Sequence, residues 1–230
     1  MPYIRQFRSF ILLLLLYILL GKLAWSATPT ILVLGDSLSS GYGINLSEGW
    51  VNLLEKRLRE AGFPHRVVNA SISGDTSHGG LARLPAALER YQPGIVVLEL
   101  GGNDGLRALS LQALEENLAA MIELSRQAGA QVVLAEIRIP PNYGPRYTEK
   151  FRAIYDELAK RYGITLLPFL LEGVAGNPAL MQEDGIHPRA EAQSLIVDKV
   201  WPVLQPLLGQ STSHADPPGS GESSRQADPS

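Results

Sequence analysis

The chain has 230 residues and a formal net charge of −3, with 45% hydrophobic and 19% charged residues. This length suits one large domain, and the slight negative charge lacks the basic footprint of a nucleic-acid-binding protein. The sequence contains no cysteine, which excludes disulfides, a thiol nucleophile and cysteine-ligated zinc.

The first segment has the pattern of a secretory signal peptide. Arg5 and Arg8 precede an apolar run over residues 10–20, and a small-x-small pattern ends at Ser26. The run is shorter than the ~20 residues that span a membrane. We therefore expect residues 1–26 to be cleaved, which changes the net charge from −3 to −6. The mature protein would be periplasmic or secreted, without stable membrane insertion; an uncleaved anchor is the alternative.

Continuous apolar runs alternate with amphipathic stretches through the middle of the chain. Strands are predicted at 31–34, 66–69, 95–98, 132–134 and 164–167, and helices at about 48–61, 80–91, 111–128, 146–162 and 189–207. Strands that are apolar throughout are typical of a parallel sheet buried on both faces. The pattern predicts an α/β fold over residues 27–208: a flavodoxin-like three-layer α/β/α sandwich with a five-stranded parallel sheet, order 2-1-3-4-5. Residues 209–230 are rich in Ser, Pro and Gly and are expected to form a disordered tail.

Polar, glycine-containing turns follow the first three predicted strands, at residues 35–39, 69–75 and 101–104. A fourth polar segment, Asp-Gly-Ile-His-Pro at 184–188, precedes the last helix. Ligands of open α/β sheets bind beyond the carboxyl ends of the strands. Each turn alone is an ordinary loop, but together they bring a hydroxyl, an acid–histidine pair and an amide to one edge of the sheet.

These residue types suit acyl transfer by a serine nucleophile. Asp184 lies three residues before His187, a spacing that lets the carboxylate hold Nδ1–H and leaves Nε2 free to take the proton of Ser37. Pro188 suits the first turn of the next helix, so we expect His187 at a helix N-terminus. The helix dipole disfavours imidazolium there, whereas the charge of Asp184 favours it, and the sequence leaves the balance open. The backbone N–H groups of Ser37 and Gly74 and the side-chain amide of Asn103 are candidate oxyanion donors.

The motifs at 35–39, 69–77, 99–107 and 184–188 resemble those of the SGNH (GDSL) hydrolase superfamily. Segments 79–85 and 137–147 further resemble its TesA-type branch of periplasmic acyl-CoA thioesterases, lysophospholipases and arylesterases. The resemblance implies a serine hydrolase of acyl esters and thioesters, with Ser37, Asp184 and His187 as the catalytic residues. It also implies that Ser37, Gly74 and Asn103 form the oxyanion hole and that residues 138–147 close over the acyl chain.

From these motifs we expect a monomer that needs no cofactor or metal, binds no nucleic acid and acts on small-molecule acyl substrates. The substrate is expected to contact Asp36, Leu38, Leu106, Ile139, Pro140, Tyr143 and Ile186.

Two other functions stay open at this point. A metal-dependent phosphoesterase would use the acidic residues near the sheet edge, with His78 as a further ligand; these are Asp36, Asp75, Asp104 and Asp184. The second alternative function is a ligand-binding module on an inactive hydrolase scaffold. A Gly-x-Ser-x-Gly elbow would indicate an α/β-hydrolase fold, but the segment around Ser37 lacks the second glycine.

Overall fold

The computed structural model describes residues 28–209 of the chain. The predicted signal peptide at 1–26 and residues 210–230 of the predicted tail lie outside this part, so both assignments stay predictions. Within residues 28–209, no helix is long and apolar enough to cross a membrane.

The centre of the fold is one parallel sheet of five strands. They are β1 (Thr30–Gly35), β2 (Arg66–Asn69), β3 (Ile95–Glu99), β4 (Gln131–Ala135) and β5 (Thr165–Leu167). Their order is β2-β1-β3-β4-β5, which confirms the predicted topology. Every residue of β1 and β3 is buried, as expected of strands covered on both faces.

Helices cover both faces of this sheet. They are α1 (Ser37–Ser40), α2 (Trp50–Glu60), α3 (Ser77–Tyr91), α4 (Gly102–Leu106), α5 (Leu111–Gln127), α6 (Pro145–Tyr162) and α7 (Gln193–Leu204). Helices α2 and α7 bury their apolar stripes on one face, and α3, α5 and α6 bury theirs on the other. The predicted three-layer α/β/α sandwich is confirmed.

Two predicted helix starts differ from those of the α-helices by three or more residues. Helix α3 begins at Ser77 instead of residue 80, because the Thr76 side chain caps it by accepting a hydrogen bond from the Gly79 N–H. The last predicted helix begins with a short 3₁₀ turn, Ala190–Ala192, and continues as α7 from Gln193. The sequence analysis did not identify the short helices α1 and α4, which follow β1 and β3 directly.

Candidate active site

Ser37 is the first residue of α1, immediately beyond the carboxyl end of β1. The Asp36 side chain caps this helix, because its Oδ1 accepts a hydrogen bond from the Leu38 N–H at 3.1 Å. Gly35 permits the close approach of β3, since a Cβ there would lie 2.6 Å from Glu99 Oε2. The turn that carries Ser37 is therefore held in place by the Asp36 cap and by the close packing that Gly35 permits.

His187 connects Ser37 to Asp184 through two short hydrogen bonds. The distance from His187 Nε2 to Ser37 Oγ is 2.8 Å, and the distance from His187 Nδ1 to Asp184 Oδ2 is 2.6 Å. An ionised carboxylate only accepts hydrogen bonds, so Nδ1 carries the proton and Nε2 accepts from the serine hydroxyl. The structure thus brings together all three residues of the predicted triad.

The Asp184 carboxylate also organises its own loop. Its Oδ1 accepts hydrogen bonds from the backbone N–H groups of Ile186 at 2.9 Å and His187 at 3.0 Å. Burial alone would raise the pKa of Asp184, but the hydrogen bonds from the His187 side chain and from these two N–H groups lower its pKa to about 2. Asp184 is therefore ionised at neutral pH, as an acid that orients an imidazole must be.

The segment that carries His187 is not at a helix N-terminus, so that part of the sequence interpretation was wrong. Pro188 pairs with Met181 in an isolated antiparallel β-bridge, and the following 3₁₀ turn begins only at Ala190. A helix dipole acts within its first turn. The dipole of the following helix therefore does not act on the His187 imidazole.

The predicted oxyanion donors lie on the two neighbouring turns. Asn103, in α4, donates a hydrogen bond from Nδ2 to Asp36 Oδ2 at 3.1 Å, which places its amide beside the turn that carries Ser37. Gly74 has a φ of +79°, a conformation that suits glycine. The Arg107 guanidinium donates to the Gly74 carbonyl at 2.9 Å, and this contact connects the Gly74 turn to the segment that follows α4.

Comparison with known proteins decides the family. A family model described as the GDSL-like Lipase/Acylhydrolase family matches residues 33–195, which include Ser37, Asp184 and His187. The chain belongs to this family. It is accordingly a hydrolase of ester bonds, and the predicted relationship to the SGNH (GDSL) superfamily is confirmed.

Similar proteins cover almost the same length. The chain is 54% identical over 183 residues to "Esterase TesA" of Pseudomonas aeruginosa, covering 80% of this chain and 91% of the relative. It is 47% identical over 197 residues to "Thioesterase 1/protease 1/lysophospholipase L1" of Escherichia coli strain K12, covering 86% of this chain and 93% of the relative.

Solved structures of the family match the fold. A crystal structure of TesA has a TM-score of 0.76 at 54% identity and covers 77% of this chain and 99% of its own. A structure of the psychrotrophic esterase EstA from Pseudoalteromonas sp., inhibited by monoethylphosphonate, has a TM-score of 0.76 at 42% identity. It covers 79% of this chain and 99% of its own.

A buried pair of acids, Asp36 and Glu99, lies beside the turn that carries Ser37 in this GDSL-like hydrolase. Glu99 is fully buried at the end of β3, and its Oε2 accepts a hydrogen bond from Ser39 Oγ at 2.6 Å. Burial, and then the charge of Asp36, raises the pKa of Glu99 well above its usual value. Burial also raises the pKa of Asp36 to about 6. This pairing was not predicted from the sequence. The one feature that could have indicated it is the glutamate at the end of the apolar run of β3.

The predicted substrate contacts form two groups, one of which is adjacent to the triad residues in the chain. Near the serine and histidine, Ile186 is 39% exposed and Leu38 is half-buried against the core. The carboxylate of Asp36 is buried and accepts hydrogen bonds from Leu38 and Asn103, so it supports the site from within.

The second group of predicted contacts belongs to the segment between β4 and α6. Pro140 precedes the 3₁₀ turn Pro141–Tyr143, and the Tyr143 hydroxyl donates to the Leu106 carbonyl at 2.7 Å. Ile139 is buried, and its Cγ2 would lie 2.5 Å from a Cβ at Gly105. This segment therefore packs directly against α4, the helix that carries Asn103.

The acidic residues of the phosphoesterase alternative have other partners. Asp75 forms an ion pair with Arg83 at 2.7 Å, and Asp104 accepts two hydrogen bonds from Ser77, at 2.6 and 2.8 Å. Among residues 28–209, no three histidine or acidic side chains lie together as metal ligands would. These contacts explain the acids as supports of the turns near the sheet edge.

Proposed function

We propose that this GDSL-like hydrolase cleaves acyl esters and thioesters through a Ser37–His187–Asp184 triad and an acyl-enzyme intermediate. The observation that carries the proposal is the continuous hydrogen-bonded chain from Asp184 to His187 to Ser37, with distances of 2.6 and 2.8 Å. An alcohol is a weak nucleophile unless an adjacent base accepts its proton. Here the base is already hydrogen-bonded to the hydroxyl and oriented by an ionised carboxylate.

In the first half-reaction, Ser37 Oγ attacks the acyl carbonyl carbon and His187 Nε2 takes the hydroxyl proton. The carbonyl oxygen becomes an oxyanion, which the N–H groups of Ser37, Gly74 and the Asn103 side chain stabilise. When the carbon–oxygen or carbon–sulfur bond breaks, the imidazolium returns its proton to the departing alcohol or thiol. The acyl group remains as an ester on Ser37.

In the second half-reaction, water takes the place of the leaving group. His187 accepts a proton from this water as its oxygen attacks the acyl carbon, and the same donors stabilise the second oxyanion. Breakdown of that intermediate transfers the proton to Ser37 Oγ and releases the carboxylic acid. Asp184 stays ionised throughout and stabilises the imidazolium that forms in each half-reaction.

The proposed substrates are fatty acyl-CoA, lysophospholipids, and aryl or short-chain esters. The names of the relatives include an esterase, a thioesterase, a lysophospholipase and, in Vibrio mimicus, an arylesterase. An exposed site accommodates varied leaving groups, and both Asp184 and Ile186 are exposed here. We assign the acyl chain to the surface between Ile186 and the segment around Tyr143, with Leu38, Leu106 and Pro140 along it and the buried Ile139 supporting that segment.

We further propose that the protein works as an exported monomer. The Arg-flanked apolar run and the small residues before Ala27 support export to the periplasm or beyond the cell. The negative charge of the mature chain gives no basis for nucleic-acid binding. The triad chemistry requires neither a metal nor an organic cofactor.

The test is a substrate panel that varies acyl length and leaving group, with the parent protein and two matched serine variants. Ser37→Ala should lose turnover of every ester and thioester, along with labelling by a fluorophosphonate probe. Ser194→Ala, which changes an exposed serine of α7, should retain both. If Ser37→Ala hydrolyses substrate faster than buffer alone does, Ser37 is not the nucleophile. If both variants lose turnover, the loss in Ser37→Ala is not specific to that hydroxyl.

A further inference from the structure

The loop that carries His187 is exposed, and hydrogen bonds within residues 180–189 hold its shape. Residues 183–186 are all exposed, and apart from the single bridge at Met181 and Pro188 the segment has no regular strand or helix. Misplacing a catalytic group by about 1 Å can reduce the rate about 100-fold. A triad whose base lies on such a segment therefore needs a fixed connection between this loop and the loop that carries Ser37.

We propose that Gln182 provides this connection and is a positioning residue for His187. The proposal rests on the triad assignment given above. The Gln182 side-chain amide donates hydrogen bonds to the Tyr42 carbonyl at 2.8 Å and to the Pro188 carbonyl at 3.1 Å. Its backbone N–H donates to the His187 carbonyl at 2.8 Å. One residue thus holds the backbone on both sides of the His187–Pro188 bond and joins it to the loop after α1.

The loop on the other side of this connection is tied to the nucleophile. The Tyr42 N–H donates to the Ser37 carbonyl at 3.2 Å, so the backbone that accepts from Gln182 is one hydrogen bond away from Ser37. The Tyr42 ring also packs against the His187 imidazole, with 4.4 Å between ring centroids. The Gln182 amide therefore completes a closed path of contacts between the nucleophile and its base.

Gly43 shows how closely the amide fits. Its φ is +73°, and a Cβ at this position would collide with Gln182 Oε1 and lie 2.9 Å from Nε2. A side chain at residue 43 would displace the amide from the two carbonyls that it joins. Gly43 and Gln182 therefore form one unit, and a change on either side should break the same connection.

The first experiment replaces the amide while keeping its length. Gln182→Met removes both donors, and Gln112→Met is the control, because the Gln112 amide bonds only to Glu116 on the exposed face of α5 in the described structure. We expect kcat of Gln182→Met for an aryl ester to fall at least about tenfold with KM within about twofold, because base positioning affects the reacting step more than binding. Fluorophosphonate labelling of Ser37 should slow in parallel.

The second experiment changes the opposite side of the connection. Gly43→Ala should reproduce the kcat defect of Gln182→Met. Gly129→Ala is the control for backbone strain, because its φ is +82° and nothing lies within 4 Å of the added Cβ. We expect the control to keep the parent kcat.

Both experiments normalise activity to the folded fraction measured by circular dichroism. A parental kcat per folded molecule in Gln182→Met and Gly43→Ala, with Ser37→Ala inactive, would overturn the positioning role and leave the triad intact. An active Ser37→Ala would instead overturn the proposed function itself.

Discussion

Asp36 and Asn103 are 67 positions apart in the sequence, yet the Asn103 amide donates to the Asp36 carboxylate at 3.1 Å. The contact exists because β1 and β3 are neighbours in the sheet, with Gly35 paired to Glu99 at their carboxyl ends. Asp36, the residue before the proposed nucleophile, thus holds the side chain of a proposed oxyanion donor in place. The cap of α1 and the proposed oxyanion donor Asn103 are therefore joined through the Asp36 carboxylate.

Removing the Asn103 amide should lower the rate much more than it weakens substrate binding. We expect kcat of Asn103→Ala to fall about 10²- to 10³-fold, because one donor to the developing oxyanion is lost. KM should change little, since the charge develops only in the transition state. Steady-state kinetics on an aryl ester will show this, with Asn177→Ala, an exposed turn residue, as the control. A fall in kcat of less than about threefold would exclude Asn103 from the oxyanion hole.

Replacing the triad acid by its amide should leave the loop in place but disable the base. An asparagine oxygen can still accept from the backbone N–H groups of Ile186 and His187, while the imidazole loses the carboxylate that fixes its tautomer. We expect kcat of Asp184→Asn to fall about 10⁴-fold, the loss known for the corresponding change in a serine protease. Asp198→Asn, which alters an exposed ion pair with Arg57, should turn over like the parent. Near-parental turnover by Asp184→Asn would remove it from the triad.

The Tyr42 ring should increase the rate by stabilising the positive charge that forms on His187. As His187 becomes an imidazolium, the negative face of the neighbouring ring stabilises it by a cation–π interaction worth ~0.5–1 kcal/mol at an exposed site, or about two- to fivefold in rate. Tyr42→Phe keeps the ring and should match the parent in kcat, whereas Tyr42→Ala should lose about two- to fivefold. Equal kcat values for the two variants would show that the ring contact does not contribute.

The buried acids should make folding stability fall as pH rises. Burial raises the pKa of Asp36 from 3.8 to about 6, and burial with the charge of Asp36 raises the pKa of Glu99 well above 4.5. The folded protein therefore binds more protons than the unfolded chain in this range, so the free energy of unfolding decreases from about pH 4 to pH 6 and, for Glu99, beyond. Ionised Asp184, whose pKa is lowered, has the opposite effect only below about pH 4.

Urea unfolding at pH 5 and pH 8 measures this dependence directly. Glu99→Gln keeps the shape of the side chain without the ionisation, so the loss of stability between the two pH values should be smaller than in the parent. Glu60→Gln, which removes an exposed carboxylate, is the control and should show the parental pH dependence. An unchanged pH dependence in Glu99→Gln would contradict a raised pKa for this buried carboxyl group.

Much of this architecture was predictable because it follows from local patterns. The apolar runs predicted all five strands, and the polar turns after β1, β2 and β3 provided Ser37, Gly74 and Asn103 as candidate site residues. A spacing of three residues was enough to couple Asp184 to His187, since their contact is local.

Contacts between distant segments account for what the sequence did not show. Gln182 and Tyr42 are 140 positions apart, and no local pattern indicates that a side-chain amide will meet that carbonyl. The pairing of Asp36 with Glu99 likewise depends on strand register. The prediction that a helix begins at Pro188 was wrong for a related reason. Proline suits the first turn of a helix, but here Pro188 pairs with Met181 in a β-bridge instead.

The most direct measurement is the site of covalent modification by a fluorophosphonate, located by peptide mass spectrometry. Four other serines lie in the segments that follow β1 and β2: Ser39, Ser40, Ser71 and Ser73. The modified position therefore distinguishes an activated serine from serines that are only close to it. We expect one adduct, on Ser37, whose formation is lost in His187→Ala and slowed in Gln182→Met. An adduct on one of the neighbouring serines, or an unmodified Ser37 in an enzyme that the reagent has inactivated, would contradict this expectation.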